Sequence, residues 1–152
     1  RGLRRRGRDM GGDRATVAEF RGGGRLVDWF GHEPSFHDAE ILDLTLRRAD
    51  ASVLRLHTWT TLKTTNAAGF LTRDREAVVS IVLTDVLDAD LREFNHQNVI
   101  DRLRLEHLRS GAGEAESSVK VHLDGSFGLY GWLVARSIEF DLSTDDFQVG
   151  AP

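Results

Sequence analysis

From residue 39 onward the apolar residues of this chain recur at every second position, and that period excludes most folds. In 39–48, Leu42, Leu44 and Leu46 fall on one face, with Asp43, Thr45 and Arg47 on the other. In 52–60, Leu54 and Leu56 oppose Arg55 and His57, and 49–51 is short enough for a hairpin link. Segment 77–87 (AVVSIVLTDVL) is almost continuously apolar and rich in β-branched residues, which predicts a central strand. Alternation returns in 99–108, 119–124 and 131–142. These segments predict about six strands, mostly antiparallel, because each keeps one face for the core and one for water.

Helical material is sparse and confined to the N-terminal side. Residues 16–20 suit a short helix, and 26–30 (LVDWF) one or two turns ending at Gly31. The run Gly22-Gly23-Gly24 between them reads as a connector. No strand precedes it and no Lys-Ser or Lys-Thr follows, so it is not a phosphate-binding loop. Segment 61–76 is polar and reads as a longer loop or a ragged hairpin tip, and 88–98 as a polar stretch that suits a helical turn capped by Asp88 or Asp90. The expected class is α+β, a mainly antiparallel sheet with one or two short helices. Alternating strands and helices, and internal repeats, are both absent.

The chain has 152 residues, enough for one domain with its own core. Residues 16–146 are expected to form it, between a basic, disordered stretch at 1–15 and a frayed 147–152. With no cysteine there is no disulfide framework, thiolate metal site or cysteine nucleophile. That composition fits a reducing compartment, and a cytoplasmic location is expected. No apolar run approaches the length of a membrane-spanning helix, so no membrane partner is expected.

Charge is divided unevenly. There are 20 basic and 24 acidic residues, and five of the basic ones (Arg1, Arg4, Arg5, Arg6, Arg8) lie in the first eight positions. The rest carries 15 basic against 24 acidic residues, a net −9. No apolar run follows the arginines, so they are not the start of a signal peptide. Residues 1–9 precede the only methionine, Met10, and read as an extension ahead of a gene start or as a plain tail. An acidic body repels phosphate, so nucleic acid is not an expected partner, whereas a basic protein is.

The densest polar cluster is Ser35-Phe36-His37-Asp38-Ala39-Glu40. Histidine with two carboxylates suits a divalent metal or acid–base chemistry, and a small metal-dependent hydrolase built on His37, Asp38 and Glu40 is one reading. In a regular strand, however, Asp38 and Glu40 share a face and His37 takes the other. The plainer reading is a side chain that fixes the turn into the strand. His57 and His122, if on neighbouring strands, offer a second metal arrangement. No metal, cofactor or catalytic residue is expected from the motifs present. A second cluster, Phe94-Asn95-His96-Gln97-Asn98, reads as a turn before the strand from Val99, or as adaptable contacts to a partner.

Taken together, "WFGHEPSFHDAEILDLTLRR", "FNHQNVI" and "GLYGWLVARSIEFDL", in that order over residues 29–142, resemble the immunity protein 50 family. The members of that family look like antidotes in bacterial polymorphic toxin systems. The resemblance implies an inhibitory binding protein, not an enzyme, whose partner is a cognate toxin domain. The motif positions fall on Ser35, Phe36, His37, Asp38, Ala39 and Glu40, and on Phe94, Asn95, Gln97 and Asn98, as fold-holding or partner-binding residues. Acidic contacts to a basic toxin are expected from Glu114 and Glu116, or from Glu139, Asp141, Asp145 and Asp146. The remaining alternative is a structural interaction domain without a toxin partner.

Overall fold

The structure is a computed structural model that describes residues 12–65, 67–69, 71–109 and 117–144. Among the described residues there are seven strands rather than about six: β1 (Asp13–Ala15), β2 (Glu40–Thr45), β3 (Ser52–Thr65), β4 (Leu71–Arg92), β5 (Val99–Leu108), β6 (Ser118–Phe127) and β7 (Tyr130–Ser143). One α-helix is found among the described residues, α1 (Gly23–Phe30), which follows a 3-10 turn at Val17–Glu19. Among the described residues no helix is long and apolar enough to cross a membrane.

All strand pairs are antiparallel, and the sheet closes on itself. Its order is β1-β5-β2-β3-β4-β7-β6, and β6 pairs back onto β5. Six strands therefore form a ring. β6 runs along one edge of β5. The other edge is shared by β2, at Val99, and β1, at residues 105–107. The expected disordered stretch at 1–15 thus gives up residues 13–15 to a strand. Short as β1 is, it covers β5 backbone that would otherwise form an open edge.

Alternation in the sequence becomes burial in β3, β4 and β6, but not in β2, where a register shift between Ile41 and Asp43 turns Leu42 out to solvent and Leu46 beyond the strand is exposed too. Leu54 and Leu56 of β3, Val79, Ile81 and Leu83 of β4, and Val121 and Leu123 of β6 are all sealed from solvent. Helix α1 adds Leu26 and Phe30, one turn apart on a single face, to the same cluster. Burying each is worth roughly 2 kcal/mol.

The glycine triplet is not a loose connector. Gly22 and Gly23 begin the helix where the main chain meets β7, and Phe140 N–H donates to the Arg21 carbonyl at 2.8 Å. A Cβ on Gly22 would stand 1.9 Å from the Phe140 carbonyl oxygen, and one on Gly23 1.8 Å from that of Val17. Gly31 stops the helix as expected, in a left-handed conformation with its N–H on the Val27 carbonyl.

Segment 61–76 takes the hairpin alternative, and the first part of 88–98 is strand. β3 and β4 continue to Thr65 and from Leu71, so 61–76 is largely a hairpin arm, built from threonines that suit a pleated backbone. β4 also runs on to Arg92 where a capped helical turn was expected. Pairing with β7 from Val78 to Arg92 overrides the weak strand preference of its aspartates. A register shift between Val86 and Asp88 absorbs one extra residue, Leu87, in this stretch.

Candidate interaction surface

The two polar clusters meet at one end of the ring. Residues 35–40 form a tight turn, with Phe36 and Asp38 both left-handed (φ 59° and 63°). Ala39 N–H donates to the Phe36 carbonyl at 3.0 Å, and His37 N–H to Ser35 Oγ at 3.3 Å. The turn docks on the start of β5: Asp38 N–H donates to the Ile100 carbonyl, Ile100 N–H to that of Ala39, and Leu103 N–H to that of Ser35. Phe36 is buried in the core, and its ring anchors the turn from beneath.

His37 and Asp38 lie side by side, not on opposite faces. The left-handed residue 38 delays the strand until Glu40 and turns its carboxylate back, with Oδ2 3.2 Å from His37 Nδ1. Asp101 approaches His37 Nε2 at 3.4 Å. Glu40 points elsewhere, to His57 Nδ1 at 3.6 Å. His37, Asp38 and Glu40 therefore do not converge, and no metal-binding group of three is found among the described residues. Nor do His57 and His122 share a site: β6 is flanked by β5 and β7, and β3 by β2 and β4. His122 faces Glu106 at 3.3 Å instead.

Asn98 is the hub of the second cluster. Its buried side-chain oxygen accepts the N–H groups of Asn95 and Leu129, both at 2.9 Å, and its amide donates to the Asn95 carbonyl. Its own carbonyl accepts Ile41 N–H at 2.7 Å. One residue thus ties together the loop after β4, the β6–β7 turn and the start of β2. Asn95 accepts Gln97 N–H, tightening the loop further. Gly128, at φ 70°, lets the turn lie against this loop, since a Cβ there would come 2.4 Å from Asn98 Oδ1.

Around that hub three aromatic rings open to solvent. Phe94 is 68% exposed, Phe127 62% and Tyr130 42%. Phe127 pairs with Val99 and Tyr130 with Arg92, so both flank the Asn98 loop that Phe94 begins. Aromatic side chains left open on a rigid frame are the usual anchors of protein interfaces. The sequence reading singled out Phe94 but passed over Phe127 and Tyr130. Their flanking of the turn glycine Gly128 was the available signal.

Beside the rings, an open concavity of about 690 Å³ lies on the outer face of the sheet, walled by Asp90, Arg92, Arg104, His122, Asp124 and Trp132. Its charges are matched in pairs. Arg104 grips Asp124 with two bonds of 2.7 and 3.0 Å, and Arg92 holds Asp90 at 3.1 Å. Arg104 hydrogen bonding holds the Asp124 carboxyl below the usual carboxylate range, and the same bond raises the guanidinium. A wall of balanced pairs suits the polar rim of a protein contact better than capture of a small ion.

Of the expected acidic contact residues, Glu139 and Asp141 are among the described residues. Glu139 lies beside Arg21, at 3.9 Å, and Asp141 is exposed one pleat further along β7. Both belong to the half of β7 away from Tyr130. Glu114, Glu116, Asp145 and Asp146 lie outside the described residues. A different acidic set, Asp85, Asp88, Asp90 and Glu93, runs along the second half of β4 and leads into Phe94. No family model matches the chain, and neither a curated protein nor a solved structure matches it.

Proposed function

We propose that this chain is an immunity protein of the kind its motifs resemble, a cytoplasmic antidote that binds a cognate bacterial toxin domain and neutralises it by protein–protein contact. The observation that carries the reading is the trio Phe94, Phe127 and Tyr130, held open to solvent around a rigidly bonded loop. A fold that needed these rings only for stability would bury them. The motif residues support the reading from below. Phe36 and Asn98 are buried, and exposed Asn95 is bonded within its own loop, so together they build the platform on which the rings stand. The acidic excess favours a basic toxin by speeding encounter.

The test is co-expression in bacteria with the C-terminal domain encoded by the neighbouring gene. Rescue of growth together with a co-purifying complex is expected. Replacing Phe94 and Phe127 by alanine should weaken the complex by about a hundredfold, as for two interface anchors. Toxicity that persists, with no complex formed, overturns the proposal.

A further inference from the structure

We infer that the outer edge of β4 over residues 84–92 is a strand-addition site for an extended segment of the toxin bearing lysine or arginine. This rests on the immunity reading above. β7 occupies one edge of β4 from Val78 to Arg92. β3 occupies the other only as far as Leu83. Among the described residues nothing pairs with the stretch beyond.

The polar groups on that side can be assigned. A Cβ on Gly131 would stand 1.9 Å from the Asp90 carbonyl oxygen, so Asp90 directs its carbonyl at β7. Strand geometry then sends the N–H and C=O groups of Ala89 and Leu91 to the opposite, open edge. Ala89 N–H finds a local acceptor, Asp88 Oδ1 at 2.9 Å. With the bulge at Leu87, that cap guards the edge against indiscriminate pairing. A lysine brought alongside Asp88 would draw the carboxylate away and free the amide for a ladder bond.

Charge selects the occupant. The edge and its exit carry Asp85, Asp88, Asp90 and Glu93 against Arg92 alone. Arg136 neutralises part of this at Asp85, at 3.4 Å, and Arg92 does so at Asp90. A second copy of this chain would set the same acids against themselves, which is unfavourable across a strand pair. A basic strand finds complementary charge, an apolar contact in Leu87, 52% exposed, and an aromatic stop in Phe94. Main-chain bonds would supply affinity, and the alternating side chains specificity.

The test reads amide exchange on the full chain. One experiment uses a synthetic peptide of alternating lysine and valine, with a glutamate–valine peptide as control. The other uses the neighbour-encoded domain. The lysine peptide should slow exchange at Ala89 and Leu91 about tenfold, and the glutamate peptide should not. Asp88→Lys with Glu93→Lys should abolish that protection, and so should Ala89→Pro, with a thermal melt confirming that each variant folds. Equal protection by both peptides, or by neither, overturns the inference. Protection without peptide that grows with protein concentration assigns the edge to a second copy and also overturns it. If the toxin domain binds the charge-reversed chain as tightly as the native one, the edge is wrong and the immunity reading stands. If the peptide protects but the domain does not bind, the edge recognises basic strands and the immunity reading falls.

Discussion

Residues 77–83 and 84–92 belong to the same strand, β4, and live in different surroundings. The first part lies between β3 and β7, and Ala77, Val79, Ile81 and Leu83 are sealed from water. The second leans on β7 alone and interleaves Asp85, Asp88 and Asp90 with Leu87 and Leu91. Chain continuity therefore does not make a strand uniform. Where neighbours flank both edges, β-branched residues fill the core. Where one edge is open, carboxylates and a bulge discourage unwanted pairing.

The contrast is breakable by mutation. Ile81→Ala should cost about 4 kcal/mol in urea denaturation, because its cavity lies between two strands that cannot close over it. Leu87→Ala should cost no more than about 0.5 kcal/mol. Similar losses at the two sites would mean that the second half of β4 is covered after all. Asn98→Ala should cost about 3 kcal/mol, since the N–H groups of Asn95 and Leu129 lose their acceptor together. Faster amide exchange at Leu129 locates that loss at the hub, and unchanged exchange there would show that the loop is held by other means.

Gly131→Ala should cost about 2 kcal/mol, since its Cβ would press on the Asp90 carbonyl and part β4 from the one strand that supports it. Exchange should then rise across residues 84–92 and stay slow across 77–83. A smaller effect than that of Gly131 is the pH dependence of the Arg104–Asp124 pair. The Asp124 carboxyl titrates below its ordinary range when folded. The pair's stabilisation is thus complete above the unfolded carboxylate range and is lost as pH falls through the depressed folded value, below about pH 4. Side chains 43% and 32% exposed keep it under about 1 kcal/mol. Asp124→Asn should flatten acid denaturation by that amount, and an unchanged acid limb would deny the pair any role.

The half of β4 that was legible in the sequence is the half with two neighbours. AVVSIVL announces a buried strand by composition alone. The continuation to Arg92 was not legible, because aspartates resist strands locally and only the partner in β7, some forty residues downstream, overrides them. β1 was hidden for a related reason: three residues beside an Arg–Gly stretch become a strand only by meeting β5. Gly22 and Gly23 looked like a linker because the carbonyls they leave room for come from Phe140 and Val17, invisible to local reading. In the site, the turn at 35–40 could be foreseen, but not its two left-handed residues, which bring His37 and Asp38 together. That this turn and the Asn98 loop touch depends on ring closure, which no local pattern encodes.

Closure through β5 also orders events during synthesis. The β2–β3–β4 meander can pair as it leaves the ribosome, since each strand follows its neighbour. β5 then lacks β6, and Asn98 waits for Leu129, thirty-one residues later. A nascent chain halted before the β6–β7 turn has β6 to pair with β5 but no β7 to join β6 to β4, its Asn98 loop still lacks Leu129, and it cannot yet present its aromatic trio. The ring closes late because its last contacts are its most distant.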